Sequence, residues 1–390
     1  MDISVIIVSY NNSTVLMLAL ASVRRAIEGL NAEVFVVDNN SHDGTPERVK
    51  AETPWVRLIE MGRNAGFSTA NNEALKICTG RTVLILNPDT VVSKNSLREM
   101  VDYFDKNPKS GAMGVRMVNG KGRYLGESKR GRTTLRTSFF KITGLWHLAP
   151  KSAVINGYYL GNESETGTCK APILSGACMA FSHALLDKVG YFDENYFMYC
   201  EDNDLSWRMN ITSEEGNVYR GDINIIHFKG QSTPRNSKYV GYFYDSMRRY
   251  ANIYELEGKS KLTKWFVNLG INVAYYVALV RGSILSDIEN NSVFKRPQSL
   301  TYVSDNEQNI AALRSQMEGQ NTKVTTMSYN DLEIRQQTKF GTEATLFDID
   351  GDMNRAIEYM RANEKRTLFG FYNPDGGDAL IFFNNRCHKI

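Results

Sequence analysis

The sequence predicts an α/β protein: a mostly parallel sheet with helices on both faces, followed by a smaller α/β module. Three observations predict it. Strand and helix signals alternate through the first hundred residues, an order that lays strands side by side in one sheet. Four apolar runs end abruptly in polar clusters, as strands do when their carboxyl ends meet at one edge. From about residue 298 a second, shorter alternation begins, and 390 residues suit two domains with room for a connector.

Taken in order, ISVIIVSY is a short β-rich run, and STVLMLALASVRRAI has helical apolar spacing with Ser13 or Thr14 as its N-cap. AEVFVVDN is a second strand and DGTPERVKAE a capped helix start. VRLIEM, FSTANNEALKIC, TVLILN and SLREMVDYFDKN continue as strand, helix, strand and helix. The section 110–235 is less regular. Its GKGRYLGESKRGRTTLR (120–136) holds six basic residues against one acid and reads either as a solvated loop or as a basic flap over phosphates. LSGACMAF is a strand, ALLDKVGYFDENYF a helix followed by an aromatic loop, and NIIHFKG a strand end. Between them YCEDNDLSWRM carries three acids in four positions.

In the tail, LTYVS, NEQNIAALRSQM, KVTTMSY, EATLFDI, MNRAIEYMRAN and RTLFGFY alternate as a compact α/β module. DIDGD (348–352) resembles part of a calcium loop, but it lacks the spaced ligands and the closing Glu and reads as a strand-to-helix turn. The expected division is therefore a first domain over 1–255, a helical, partly apolar connector over 256–297, and a small α/β domain over 298–390.

Composition excludes several classes. Hydrophobic residues at 42% and charged ones at 23% are those of a soluble globular protein. A net charge of +3 is too small for bulk nucleic-acid binding, so no nucleic-acid partner is expected. Five cysteines without a C-x-x-C pair read as reduced thiols in a cytoplasmic protein. MDISVIIVSYNN at the start is a strand and not a signal peptide. The longest uncharged apolar stretch, WFVNLGINVAYYVALV (265–280), is 16 residues and falls short of the roughly 20 that span a membrane. Flanked by Lys261, Lys264 and Arg281, it fits a helix lying in a membrane interface and equally a core helix.

Ligands of such sheets bind beyond the carboxyl ends of the strands. There the sequence puts Ser9–Asn12, Asp38–Asn40, Asn64 with Gly66, and Asn87–Asp89. One Asp after a strand is usually a turn former. Four polar endings within ninety residues point to a shared binding site.

The ordered motifs SYNN, VVDNNSHDGT, NAGFSTANNEA, LNPDT, LSGACM, CEDNDLSWR and HFKG resemble a family 2 glycosyltransferase of the GT-A fold. Within that family the rhamnosyltransferase-like branch of bacterial surface-polysaccharide biosynthesis is most similar. The resemblance covers about residues 2–250 and leaves the C-terminal module without a role. It implies a UDP- or dTDP-sugar donor and inverting transfer of rhamnose or another hexose. The implied acceptor is a hydroxyl on a growing, lipid-diphosphate-linked glycan, reached from the cytoplasm with peripheral membrane contact.

Asp38 is the implied nucleotide-binding acid and can accept the N3–H of uracil or thymine, while Ser9, Asn11 and Asn40 reach the base or ribose. Asn64 and Gly66 suit a loop whose backbone passes close to the donor. Where many GT-A enzymes place Asp-x-Asp, this chain has Asn87-Pro88-Asp89. Asp89 remains a hard oxygen ligand for Mg2+ or Mn2+, and Asn87 is a weaker ligand or a partner of the sugar. The resemblance implies His227 as second ligand, with Lys229 able to meet the diphosphate. It also implies Asp202 as the base that deprotonates the acceptor hydroxyl, with Glu201 orienting the acceptor or supporting Asp202. Asp204 reads as the cap of a helix beginning at Leu205. A nucleotidyltransferase would show a Gly-rich, basic phosphate loop after the first strand, and SYNNSTV is not one. A catalytically silent glycan-binding scaffold is the remaining rival, and the joint presence of Asp202 and His227 argues against it.

Overall fold

The computed structural model describes residues 1–231, 237–289, 294, 296–320, 322–332, 343–364, 367–383 and 386–390, with the side chains of Ser237 and 281–289 outside the description. β1 (Ile3–Ser9) leads to α1 (Ser13–Ala26), β2 (Ala32–Asp38) to α2 (Thr45–Glu52), and β3 (Arg57–Glu60) to α3 (Phe67–Leu75). β4 (Thr82–Leu86) turns through Asn87–Asp89 into the short β5 (Thr90–Val92), then α4 (Ser96–Lys106) and β6 (Met113–Val118). Next come β7 (Lys129–Arg130), α5 (Leu135–Thr143), β8 (Thr168–Lys170) and β9 (Ile173–Leu174). β10 (Cys178–Ser182), α6 (His183–Val189), α7 (Glu201–Thr212) and β11 (Val218–His227) follow.

These strands form a nine-stranded sheet in the order β3-β2-β1-β4-β10-β6-β11-β5, with β8 also on β11, while β7 pairs with β9 apart from it. β3, β2, β1 and β4 are parallel, β10 runs against both β4 and β6, and β6 and β11 are parallel again. Alternation of side chains between two covered faces explains why β1 is buried throughout and mostly apolar. Ile3, Val5 and Ile7 enter one core with α1 and α4; Ile6 and Val8 enter the opposite core with α3, α6 and α7. Register places Ser9 beside Asp38 and Ile7 beside Leu86, so the polar residues that follow emerge level with one another.

α8 (Ser237–Tyr254) and α9 (Lys261–Glu289) pack together before a second sheet. Its elements are β12 (Ser299–Val303), α10 (Glu307–Met317), β13 (Lys323–Met327), β14 (Glu343–Asp348), α11 (Met353–Asn363), β15 (Leu368–Asn373), β16 (Asp378–Phe383) and β17 (Arg386–Lys389). The order is β13-β12-β14-β15-β16-β17, parallel up to β15 and antiparallel beyond. The sequence alternation stopped at β15; the closing hairpin adds no helix and so gave no strand-helix rhythm to follow. Asp352 caps α11 by accepting from the backbone N–H groups of Asn354 and Arg355, which makes DIDGD the expected strand-to-helix turn. The two sheets share a buried cluster: Val15, Leu18, Val91, Val118, Ile226 and Phe228 pack with Phe347, Ile357, Phe371 and Phe382.

Several local expectations need correction. The N-cap of α1 is Asn12, and Ser13 instead donates its backbone N–H to Asp43. α7 begins at Glu201, so Asp204 lies in its first turn and holds Arg208 (2.7 Å) and the Tyr254 hydroxyl (2.5 Å). The basic segment 120–136 is not a solvated loop. Lys129 and Arg130 are buried in β7, Arg123 pairs with Glu364, and Arg132 pairs with Glu255. Nor is 265–280 a core helix. Leu262, Trp265, Phe266, Leu269, Val273, Tyr276, Val277 and Val280 are each between 43% and 65% exposed. At 3.6 residues per turn these eight fall within an arc of about 120° over about 27 Å. Arg281 lies on this helix, but its side chain is outside the description. Among the described residues no helix is long and apolar enough to cross a membrane.

Candidate active site

A cavity of about 360 Å3 opens beyond the carboxyl ends of β1, β2 and β4, a size that suits a small-molecule ligand. Val8, Tyr10, Asn39, Asn64, Asn87 and Pro88 form its strand-end wall. Ser175 and Gly176, Glu201 and Asp202, Arg130, Lys141, Tyr158 and Tyr159, and Glu127, His227 and Lys229 complete the lining.

On the strand-end wall, Asn39 is the organiser that sequence reasoning missed. Its amide donates to Asn64 Oδ1 (3.0 Å) and its Oδ1 accepts from the Ala65 N–H (2.8 Å), which ties two loops together. Asn40, at φ 68°, turns instead to His42, and Asn11, at φ 51°, accepts from the His42 N–H. Neither lines the cavity. Ser9 is buried, with its hydroxyl on Asn12 (2.5 Å). Asp38 lies buried just behind the wall; its Oδ2 accepts from the Ser41 N–H (2.9 Å) and its Oδ1 has no hydrogen-bond partner. Gly66, at φ 87°, is required for a different close approach from the one expected. A Cβ there would come within 2.5 Å of the Phe197 carbonyl oxygen, which accepts from the Phe67 N–H.

The opposite wall is set by strain. Tyr199 (φ 72°) and Cys200 (φ 64°) are consecutive non-glycine residues in the left-handed region, and they turn the chain so that α7 presents Glu201 and Asp202 inward. Such positions cost about 1–3 kcal/mol each and persist only where surrounding contacts hold them. Asp202 Oδ2 lies 2.6 Å from Arg130 Nη2 and also accepts from the Gly176 N–H (3.1 Å). Arg130 is fixed in turn by the Leu174 carbonyl (2.7 Å). Burial would lower the guanidinium's affinity for its proton, but Asp202 and Tyr158 outweigh burial and raise it. Burial would likewise raise the Tyr158 phenol, while Arg130 and Lys141 hold it below its ordinary value. Burial, reinforced by the Asp202 charge, pushes Glu201 up to about 8, and Glu201 Oε2 has no partner.

Asp89 and His227 meet because β5 pairs with β11, which sets Thr90 opposite His227. Nε2 of His227 lies 3.2 Å from Oδ1 of Asp89, yet neither that oxygen nor His227 Nδ1 makes a hydrogen bond. Burial would raise Asp89, but the His227 ring holds its carboxyl below the usual range. Two buried groups with unused lone pairs fit a divalent cation. Among the described residues no group of three or more His, Cys, Asp or Glu side chains could hold one, so further ligands would have to come from a bound molecule or water. Lys229 pairs with Glu127 at 2.5 Å.

Residues 4–190 match the model of glycosyl transferase family 2. This part of the chain belongs to that family. Its sheet is the mostly parallel GT-A sheet that the motif order implied. The chain is 28% identical over 246 residues to the N-acetylglucosaminyl-diphospho-decaprenol L-rhamnosyltransferase of Mycobacterium tuberculosis, a match covering 60% of this chain and 78% of that one. It is 27% identical over 231 residues to the low-salt glycan biosynthesis hexosyltransferase Agl10 of Haloferax volcanii, covering 58% and 66% of the two. Among solved structures, the mannosyltransferase PcManGT of Pyrobaculum calidifontis in complex with GDP-Man and Mn2+ aligns with a TM-score of 0.45 at 19% identity. That alignment covers 75% of this chain and 76% of that one.

Proposed function

We propose that this family 2 glycosyltransferase is an inverting hexosyltransferase. It would move rhamnose or another hexose from a UDP- or dTDP-sugar to a hydroxyl of a growing, lipid-linked surface glycan. The observation that carries the reading is the cavity itself, which joins the amide-rich strand ends to Asp202 across one shared space. In this reading residues 1–255 are the catalytic domain, 256–297 a connector and 298–390 an accessory domain.

The donor would lie along the strand ends, with its base near the unpartnered oxygen of Asp38 and its sugar near Asn39, Asn64 and Asn87. Ser9, Asn11, Asn40 and Gly66 would act one step back, by shaping the loops that carry those groups. Asp89 and His227 would hold Mg2+ or Mn2+, which when bound neutralises charge on a diphosphate leaving group. Lys229 would exchange Glu127 for a diphosphate oxygen. Asp202 accepts the proton of the acceptor hydroxyl as that oxygen bonds to the anomeric carbon and the bond to the nucleoside diphosphate breaks on the opposite face. Arg130 keeps the carboxylate in place, and Glu201, neutral at pH 7, is left to donate a hydrogen bond to the acceptor.

A lipid-linked acceptor has to be met at a membrane surface, and the exposed apolar stripe of α9 supports that contact. Lys259, Lys261 and Lys264 at its start would favour an anionic surface, and Trp265 and Tyr276 are side chains suited to an interface. The M. tuberculosis relative carries a diphospho-decaprenol acceptor in its name.

A panel of UDP- and dTDP-sugars, screened by thermal shift and by donor hydrolysis with and without Mn2+, tests the proposal. A donor at a hundred times its Kd should stabilise the fold by about 2.7 kcal/mol. If every member of the panel leaves both stability and hydrolysis unchanged, the chain does not use these donors.

A further inference from the structure

We propose that the C-terminal sheet is a positioning element for the Asp89–His227 pair, acting through Phe228 and Gln231. The inference rests on the reading that this pair holds the donor's diphosphate end. Asp89 and His227 sit at the rim of the first sheet, where β5 is only three residues long. Such a short edge strand does little by itself to fix two side chains against each other. Two further connections fix them.

The first is apolar. The Phe228 N–H donates to the Asp89 carbonyl (2.9 Å), so the residue after His227 is tied to Asp89 by backbone. The Phe228 ring is buried with its centroid 6.0 Å from that of Phe382 and 6.2 Å from that of Phe371. Val91 and Ile226, from the two strands that carry the pair, enter the same cluster. Gly120 fits the same approach, because a Cβ there would come within 2.5 Å of the Phe382 ring.

The second is polar. The Gln231 side-chain oxygen accepts from the Cys387 N–H in β17 (2.9 Å), while the Gln231 N–H points to Asp89 Oδ2 at 3.4 Å. The last strand of the chain thus holds the loop that touches the carboxylate. Ion pairs of Arg25 with Asp350 and Asp375, Arg48 with Asp378, and Arg123 with Glu364 fasten the same domain elsewhere. None of these reaches the cavity. Docking is therefore broad, and among the described residues it is β15 and the β16–β17 hairpin that converge on the Asp89–His227 pair.

The test separates positioning from stability. Gln231→Ala and Phe382→Leu alter the hairpin contacts; Leu313→Ala, in the far core of the same domain, is the control for lost stability. The His227 ring resonances, assigned with His227→Gln, report position without any ligand. Titration with UDP and dTDP in the presence of Mn2+ reports function. We expect Gln231→Ala and Phe382→Leu to shift or broaden the His227 resonances and to weaken nucleotide binding about 10- to 100-fold, the range for partners that orient metal ligands. Leu313→Ala should lower unfolding stability and leave both readouts as in wild type. Unchanged His227 resonances in both hairpin variants overturn the proposal. Shifted resonances, with wild-type nucleotide binding that Asp89→Ala leaves intact, would uphold the positioning and refute the diphosphate reading instead.

Discussion

Replacing Asp202 with Asn tests the base and exposes a cost that the sequence did not reveal. Asn keeps the shape of the side chain and can still accept from the Gly176 N–H, but it leaves the Arg130 guanidinium without its counter-charge. The two side chains are 9% and 17% exposed, so the pair is nearly but not wholly withdrawn from water. Removing one partner of a buried pair costs about 3–5 kcal/mol, and the residual exposure argues for the lower end, about 3 kcal/mol. Turnover should fall at least about a hundredfold, the scale of lost general-base catalysis. A single variant would therefore lose activity and stability together, and either loss could be blamed for the other.

A second substitution separates them. In Asp202→Asn/Arg130→Met the buried charge is gone along with its partner, and a neutral pair of similar size should recover most of the stability. Urea unfolding measures that recovery, and release of UDP or dTDP from the donor measures turnover. We expect stability within about 1 kcal/mol of wild type, with turnover still depressed at least about a hundredfold. If the double variant regains turnover along with stability, Asp202 is only a structural partner of Arg130. Near-wild-type turnover in Asp202→Asn alone would refute the assignment directly.

Three further outcomes are expected. Asp89→Ala and His227→Ala should each weaken donor affinity and Mn2+ dependence together, because cation and diphosphate bind as one unit; activity indifferent to EDTA would contradict this. Glu201, ordinarily near 4.5 and pushed up to about 8, favours the folded state most when protonated, so its contribution is complete below about pH 4.5 and is lost as pH rises through about 8. Glu201→Gln, which mimics the protonated acid, should flatten unfolding stability across that window, and an unchanged slope would place the titration elsewhere. Wild-type protein should sediment with anionic vesicles at low salt. Trp265→Ser/Phe266→Ser should cut that binding at least about tenfold, since each large apolar side chain contributes about 1.5–3 kcal/mol when buried; wild-type protein that stays in solution would refute the membrane contact.

The strand-end wall of the cavity was legible because it is local. Parallel strands that end level deliver whatever polar residues follow them, so Asn64, Asn87 and Asp89 could be read from the ends of apolar runs. Choosing between Asn39 and Asn40 could not be done that way. The choice depends on the positive φ at Asn40 and on the crossing from Asn39 to Asn64, and both belong to the loop rather than the strand. Arg130 was hidden for a different reason. It lies 72 positions before Asp202 in a glycine-rich basic run whose composition resembles a solvated loop, and only pairing with β9 buries it. One signal was available: three acids in the first turn of one helix call for a nearby cation. For α9 the sequence held the whole answer to its face, since eight apolar residues share one arc, but not what the opposite face would pack on.

These two ways of building the site also assign its charge. Glu201 and Asp202 are adjacent carboxyls in a buried first turn, and two such neighbours resist being ionised together. Arg130 pairs directly with Asp202 at 2.6 Å, while burial and the Asp202 charge push Glu201 up to about 8, so Glu201 is the carboxyl held protonated. The cations on the other sides are arranged for a different partner. Lys141 interacts with Tyr158, and Lys229 reaches Glu127 while remaining more than half exposed. A surface ion pair of that kind contributes about 0–1 kcal/mol, little enough for a diphosphate to displace. In the proposed reading, Asp202 held by Arg130 and a displaceable lysine near Asp89 and His227 suit the charge flow of glycosyl transfer. In the proposed reaction the proton would leave the acceptor toward Asp202, and negative charge would grow on the leaving diphosphate beside Lys229.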